Sequence, residues 1–247
     1  MDNTPAYTTC YIAFLDLLGF KKIISSKECA DIVQIFSAIK RIKPREIFVN
    51  VNGQPETLVN QELVQEIKLK IMSDSICFYI DAEKPYAFFL LLATCNVFQS
   101  SMAKKEEPIL MRGGIVRGKL YVDGDIVFGP GLTEAYLLEE DNAKNPRIII
   151  SKETFEDARG KAESECVDYI DTLTFFDEDE YYVINYFMSF FRDIGKSDAA
   201  AKFYKHINTI LSCEENPSIK EKYTYLKTRF EIFRIWYLAC EEAKKWL

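Results

Sequence analysis

The stretch YIAFLDLLGFKKII, residues Tyr11–Ile24, places one carboxylate, Asp16, at the end of an apolar run. Cys10 to Asp16 is rich in β-forming residues, which predicts a largely buried strand. Gly19 then permits a sharp turn, and the pattern that follows is helical. The strand therefore places a carboxylate close to the start of a helix. The free backbone N–H groups at that helix start can bind an anionic ligand such as a phosphate.

A second aspartate interrupts a second extended segment. In IKLKIMSDSICFYI, residues Ile67–Ile80, apolar residues alternate with lysines on both sides of a Ser-Asp pair, which predicts a hairpin with Asp74 in its turn. If the two strands are neighbours, Asp16 and Asp74 converge into a carboxylate pair of the kind that binds Mg²⁺ or Mn²⁺ and leaves positions open for substrate phosphates. The alternative is local, with Asp16 as a helix cap and Asp74 as a turn residue.

The rest of the chain mixes helices with short strands. Residues 21–42 have helical periodicity with a break near Ser25 and Ser26, and Asn52-Gly53 is a strong hairpin signal. We expect an α+β fold, with a mostly antiparallel sheet flanked by helices. Residues 1–185 would form the main domain, and 186–247 a helical C-terminal extension packed on that domain or on a partner subunit.

The composition narrows the classes of function. The 31 basic and 38 acidic residues give a net charge of -7, which argues against a nucleic-acid partner. A single histidine, His206, excludes histidine-based triads and His-rich metal sites. Seven cysteines without a C-x-x-C pair fit small core residues in a reducing compartment.

The hydropathy pattern predicts no membrane insertion. Residues 1–9 are polar and do not resemble a secretory signal. The longest apolar run, Tyr86–Phe98, is too short to span a bilayer. We therefore expect a soluble, cytoplasmic protein.

Four segments resemble, in the right order, motifs of the class III nucleotidyl cyclases. FLDLLGF (Phe14–Phe20) resembles F-x-D-I-x-G-F, and KIMSDS (Lys70–Ser75) resembles K-x-x-G-D with Ser73 in place of glycine. MRGGIVRGKLYV (Met111–Val122) resembles the R-x-G-I-x-x-G-x-V segment, and FGPGLTEAYLLE (Phe128–Glu139) lies in the place of the helix after it. The resemblance covers residues 9–151 and leaves the last third of the chain uncovered.

The resemblance implies a class III cyclase-like fold, a homodimer with composite sites, and two Mg²⁺ or Mn²⁺ ions per site. It implies that Asp16, Asp74 and the Leu17 carbonyl bind these ions. Backbone N–H groups near Gly19 and Phe20 would hold the terminal phosphates. The substrate-binding residues that we predict are Phe14, Gly19, Phe20, Lys70, Arg112 and Thr133.

The chain departs from the family in the helix that follows the glycine-rich turn. Thr133 and Leu137 stand where purine cyclases have a ribose-orienting asparagine and a transition-state arginine, and Ile126 stands at the base-contacting acidic position. Another cation must then stabilise the transition state. The candidates are Arg112, Arg117, Lys119 and Arg147. We favour Arg147 because NPRIII places it at the mouth of a strand.

The segment EAYLLEE is most simply an amphipathic helix in which Tyr136 packs and Glu139 is solvated.

Among class III cyclases, the combination of F-L-D-x-x-G-F, S-D-S, G-P-G-x-x-x-A-Y-x-L-E and a following P-R-I strand looks like the pyrimidine cyclases of the Pycsar antiphage system. It implies conversion of UTP to cyclic UMP, or of CTP to cyclic CMP, with release of pyrophosphate. The product would be an antiviral second messenger that acts on a separate effector. The alternatives are an adenylate cyclase, favoured by Lys70, and a catalytically dead nucleotide sensor, favoured by Thr133 and Leu137. A polymerase-like palm is disfavoured by the acidic charge.

Overall fold

The computed structural model describes residues 4–42, 47–51, 54–59, 61–192 and 198–244. The strands are β1 (Thr8–Leu17), β2 (Ile47–Val51), β3 (Gln54–Val59), β4 (Lys68–Met72), β5 (Ser75–Asp81), β6 (Met111–Asp123), β7 (Ile126–Phe128), β8 (Ile148–Ser151), β9 (Thr174–Phe176) and β10 (Tyr181–Ile184). The helices are α1 (Phe20–Ser26), α2 (Cys29–Arg41), α3 (Gln61–Gln65), α4 (Ala87–Ala103), α5 (Pro130–Asn142), α6 (Lys152–Gly160), α7 (Val167–Leu173), α8 (Met188–Arg192), α9 (Ala199–Cys213) and α10 (Pro217–Lys244).

The fold is a mixed α+β architecture around one eight-stranded sheet, as predicted. The strand order is β4-β5-β1-β6-β8-β10-β9, and β7 pairs with β6. The β6–β8 pair is parallel, whereas every other pair in this sheet is antiparallel. Strands β2 and β3 form a separate antiparallel pair, and the Asn52-Gly53 turn predicted for it lies outside the described residues.

The register of the central strands assigns each residue of β1 to one side of the sheet. Asp16 lies opposite Ser75 of β5 and Arg112 of β6, and Phe14 lies opposite Cys77 and Gly114. We call the side that these residues share the site face. The opposite side carries Tyr11, Ala13, Leu15 and Leu17, which pack into the largest core cluster with α4.

Helix α4 covers that opposite side because its sequence is apolar around almost its whole circumference. Fourteen of its 17 residues are buried, which is the pattern of a helix enclosed in a core. The site face is covered instead by α5, which packs against β6 and β1 through a smaller cluster containing Ile12, Phe14, Val116 and Ala135.

Glycines on β6 let α5 approach the sheet closely. A Cβ atom at Gly118 would lie 2.5 Å from Gly131 Cα, and one at Gly114 would lie 2.8 Å from the Ala135 carbonyl oxygen. Both distances are too short for real Cβ contacts. The glycine-rich sequence of β6 therefore sets the position of α5, and with it the position of every side chain that α5 directs at the site face.

We expect Gly118→Ala to lower the free energy of unfolding by about 1–3 kcal/mol, because the new methyl group overpacks a backbone-to-backbone contact. Urea unfolding measures this. Gly160→Ala, at the end of α6, is the matched control, since a Cβ there meets nothing within 4 Å. Equal stabilities for the two variants would mean that α5 moves aside without cost.

The helical segment after β1 is broken where the sequence predicts. Helix α1 ends at Ser26 and α2 begins at Cys29. Ser26 Oγ donates to the Lys22 carbonyl, 2.7 Å away, so its hydroxyl competes for a helix acceptor. Helices α6 and α7, by contrast, were not predicted.

The C-terminal helices α8–α10 form a second core cluster with the end of α4. Phe190, Phe203 and Phe230 pack together, and Ala103 and Leu110 join them from the main sheet region. His206, on α9, lies 3.3 Å from the Tyr223 hydroxyl of α10. Burial lowers the pKa of His206. These helices pack on the chain's own core, and the division at residue 185 stays a prediction.

None of the described helices combines the length and the apolar composition that a membrane span requires. Of the cysteines, Cys10, Cys77, Cys95 and Cys166 are buried as expected, whereas Cys29 and Cys213 are exposed and Cys240 is half-buried.

Candidate active site

The two predicted metal-binding aspartates lie side by side at the end of β1. Asp16 is the next-to-last residue of β1, and Asp74 lies in the two-residue turn between β4 and β5. The backbone joins them, because Leu17 N–H donates to the Asp74 carbonyl at 3.0 Å. Both aspartates are partly exposed. The strand order β5-β1 thus brings the backbones of two aspartates that are 58 positions apart in the sequence next to each other.

The turn that carries Asp74 contains a strained residue. Ser73 has φ of 59°, a left-handed conformation that costs free energy for any residue with a side chain. A tight hairpin requires positive φ at this position, and glycine is the residue that satisfies it without strain. The glycine of the K-x-x-G-D motif, which Ser73 replaces, therefore has a conformational explanation in this turn.

We expect Ser73→Gly to raise the free energy of unfolding by about 0.5–1 kcal/mol, since relief of left-handed strain exceeds the entropy that glycine adds to the unfolded chain. Chemical denaturation measures the change. Ser75→Gly is the matched control, because Ser75 is in extended β5, where glycine should cost about 0.5–1 kcal/mol. A Ser73→Gly variant no more stable than the wild type would contradict this explanation.

Arg112 lies between Asp16 and a second carboxylate that the sequence did not identify. Its Nε is 3.3 Å from Asp16 Oδ2 and 2.6 Å from Oε1 of Glu139 on α5. The arginine that the sequence predicts to bind substrate therefore lies beside Asp16 and bridges two acidic side chains.

The expectation that Glu139 is solvated is wrong. Its side chain is 3% exposed, and burial raises its pKa to about 7, with the Asp16 charge adding to the rise and Arg112 opposing it. The spacing of Gly131, Ala135 and Glu139 was the available signal, because residues at i, i+4 and i+8 share one helix face. Gly131 and Ala135 are small enough for close packing against the sheet, so this pattern indicates that Glu139 is buried with them.

Tyr136, which the sequence predicted to pack, is 40% exposed, although its ring makes an edge-on contact with Phe14 at 5.5 Å. Phe14 itself is buried beneath it on the site face. Gly19, three residues after Asp16, adopts φ of 75° and caps α1. The Phe20 side chain is buried against Phe36 on the opposite side of the sheet, and phosphate binding by the backbone of Gly19 and Phe20 stays a prediction.

Among the described residues, Lys70 and Thr133 form no hydrogen bond or ion pair with Asp16 or Asp74. Lys70 Nζ donates to the Gly124 carbonyl at 2.6 Å, so it binds the turn between β6 and β7, next to Ile126. Thr133 lines an open cleft of about 530 Å³ beside α5, together with Leu137. Within one protomer these two predicted substrate contacts do not join Asp16 and Asp74 in a single cluster.

The structure places the Arg147 side chain in a buried ion-pair network. It is 4% exposed, donates to Asp177 at 2.5 Å, and pairs with Asp179. Asp177 also accepts from Tyr225 and from Arg229 of α10. This arrangement favours a structural role for Arg147 and leaves Arg112 as the cation beside the aspartates.

The donor set at the aspartate pair fits a hard divalent cation. Asp16 and Asp74 offer carboxylate oxygens, and the Leu17 carbonyl belongs to the same short segment. The described residues contain no group of three or more His, Cys, Asp or Glu side chains that could hold a metal ion. Mg²⁺ is commonly held by only one or two carboxylates, with water and substrate phosphates as the remaining ligands. Two carboxylates without a third therefore match a cation whose remaining ligands are water or substrate phosphates.

No protein-family model and no curated protein sequence matches the chain. Among solved structures, the chain is similar to an adenylate/guanylate cyclase/hydrolase from Silicibacter pomeroyi. The two are 17% identical, with 65% of this chain and 85% of that chain covered and a TM-score of 0.43.

Proposed function

We propose that this chain is a metal-dependent nucleotide cyclase that acts on a pyrimidine triphosphate, UTP or CTP. The observation that carries the proposal is the pairing of Asp16 and Asp74, joined through the Leu17–Asp74 hydrogen bond. The four cyclase-like motifs in order, with both aspartates intact, support the same reaction.

Each side chain in the site has a defined task in this proposal. Asp16, Asp74 and the Leu17 carbonyl would hold two Mg²⁺ or Mn²⁺ ions. Such ions, when bound, acidify an attacking hydroxyl and stabilise negative charge on a phosphate. Arg112 binds triphosphate oxygens beside the aspartates, and the backbone of Gly19 and Phe20 donates to the terminal phosphates.

The site is completed in this proposal by a second copy of the chain. Among the described residues, Lys70 and Thr133 form no hydrogen bond or ion pair with the aspartates of their own protomer, which is the division that a composite site requires. Exposed apolar residues on the β6–β7 hairpin and on α5 support a partner there. They are Val122, Ile126, Phe128, Tyr136 and Leu137.

We expect Ile126→Asp to convert a dimer to a monomer in analytical ultracentrifugation, because it places a charge in a desolvated interface. Ile126 is 59% exposed in the single chain. Ile235→Asp, on α10 and 69% exposed, is the matched control and should leave the mass unchanged. Loss of the dimer in both variants, or a wild type that is monomeric at assay concentrations, contradicts this interface.

The test of the function is an incubation of the purified chain with equimolar ATP, GTP, CTP and UTP plus Mn²⁺, with products identified by mass spectrometry. Cyclic UMP or cyclic CMP together with pyrophosphate is the expected result. Cyclic AMP would instead favour the adenylate cyclase, which Lys70 beside the β6–β7 turn supports. Saturable nucleotide binding without pyrophosphate release would identify the sensor, which the exposed Leu137 supports because its side chain has no donor.

A role in antiphage signalling through a separate effector is proposed from the sequence resemblance alone.

A further inference from the structure

Arg112 is shared between two carboxylates that differ in their exposure to solvent. Its Nε approaches Asp16 at 3.3 Å and Glu139 at 2.6 Å. The Asp16 side chain is 22% exposed, whereas that of Glu139 is 3% exposed. Among the described residues, the Arg112 side chain forms one hydrogen bond, from Nε to Asp16.

The charge of the Arg112 guanidinium stabilises the buried Glu139 carboxylate more than it stabilises the exposed Asp16 carboxylate. Removing an ionised carboxyl from water is costly unless an opposite charge lies close to it, and the attraction between the two is stronger where solvent is excluded. Glu139 Oε1 forms no aligned hydrogen bond within the described residues, so its stabilisation comes from the charge of Arg112. Asp16, by contrast, can exchange Arg112 for water or for another cation.

Arg112 and a divalent ion compete for Asp16 in the proposed function. A guanidinium that paired fully with Asp16 would neutralise the carboxylate that must bind the ion. Glu139, on the other side of the guanidinium, prevents such full pairing. Arg112 keeps Glu139 as a counter-ion when the divalent ion binds Asp16.

We propose that Glu139 is a positioning residue that holds Arg112 beside the aspartate pair and thereby leaves Asp16 available to a divalent cation. The role of the cation in this inference rests on the proposed function, whereas the contacts of Arg112 with Asp16 and Glu139 are observed in the structure. Arg112 then stays beside Asp16, rather than moving away when the cation binds.

The first test is a calorimetric titration of the nucleotide-free protein with Mg²⁺. In Glu139→Gln we expect the Mg²⁺ dissociation constant to rise about tenfold or more, which is the usual effect of losing a group that orients a metal site from outside. Glu140→Gln is the matched control, because Glu140 is the next residue of α5 and is exposed. A dissociation constant in Glu139→Gln within twofold of the wild type overturns the inference.

The second test separates positioning from the simple loss of a negative charge. The Arg112 Nε–H resonance in a ¹⁵N–¹H NMR spectrum, assigned by its absence in Arg112→Lys, reports whether this group is held. At saturating Mg²⁺ we expect it to stay sharp in the wild type and to be lost to solvent exchange in Glu139→Gln. An Nε–H signal that persists in Glu139→Gln overturns the positioning role, whatever happens to the affinity.

Glu139→Asp gives a second variant that keeps the charge but shortens the side chain. It should weaken Mg²⁺ binding if contact at 2.6 Å is what matters, and wild-type affinity in this variant would overturn the inference. None of these readouts depends on turnover. A protein that makes no cyclic nucleotide but shows both Glu139 effects refutes the cyclase proposal and supports the positioning role.

Discussion

Asp16→Ala and Asp74→Ala are each expected to abolish nucleotide cyclisation while the protein stays folded. Either substitution removes one of the two carboxylates that the proposed function assigns to the metal ions. Metal ions contribute several kcal/mol of transition-state stabilisation, so the expected loss of kcat/KM is about 10²- to 10³-fold or more. Product formation by mass spectrometry, at Mn²⁺ concentrations that saturate the wild type, measures it.

Folding must be checked separately in these variants because Asp16 also contacts Arg112. Both aspartates are partly exposed, and their backbone hydrogen bond does not involve the side chains. Thermal unfolding midpoints should therefore stay close to that of the wild type. Asp157→Ala, in an exposed pair with Lys161 on α6, is the control and should retain full activity. Turnover retained in both Asp16→Ala and Asp74→Ala would refute the site.

Asp177→Asn is expected to lower the free energy of unfolding by about 3–5 kcal/mol. The Asp177 side chain is 1% exposed and accepts from Arg147, Arg229 and Tyr225. Asparagine keeps the volume but leaves two guanidinium groups without their shared counter-ion, and breaking a buried ion pair from one side is strongly destabilising. The network also joins β8 to α10, so the C-terminal helices should loosen with it.

The matched control is Asp171→Asn, in the Arg159–Asp171 pair at 2.7 Å. Both partners are at least 40% exposed, and exposed pairs contribute about 0–1 kcal/mol. Urea unfolding of the two variants compares the same chemical change in two environments. Equal effects would contradict the importance of burial.

The pH dependence of the same network has a definite sign. Burial opposes ionisation of Asp177, but the hydrogen bonds from Tyr225 and the Glu178 N–H and the charges of Arg229 and Arg147 outweigh it, so the pKa of Asp177 is lowered from 3.8. A lowered folded-state pKa gives a contribution that is complete above the unfolded pKa and is lost as the pH falls through the folded value. The stability difference between wild type and Asp177→Asn should therefore narrow at acid pH. A difference that is constant down to the acid transition would contradict this.

Most of the elements could be predicted from local patterns. Alternation predicted β1, β4 and β5, and the turn of the second hairpin was placed correctly at Asp74, because strand periodicity and turn chemistry act over a few residues. Helices α6 and α7 were missed. Both belong to the part of the chain that the family resemblance does not cover.

The partners of the long charged side chains could not be predicted in the same way. Arg147 was assigned to the site because it precedes a strand, yet its guanidinium meets Asp177 and Asp179, 30 and 32 residues further along the chain. Glu139 was assigned to solvent because an isolated helix does not reveal which face will be covered. Both side chains make contacts that exist only after the sheet has assembled.

The sequence by itself determined that two aspartates would each end a strand or fill a turn, and that a glycine turn would follow the first of them. It did so because backbone conformation and hydrophobic periodicity are local properties. Only the tertiary structure decided that β5 pairs with β1, that glycines of β6 admit α5, and that Arg112 therefore stands between Asp16 and Glu139. These contacts are set by the register of the strands and by the distance between α5 and β6. Both depend on the packing of residues that are far apart in the chain.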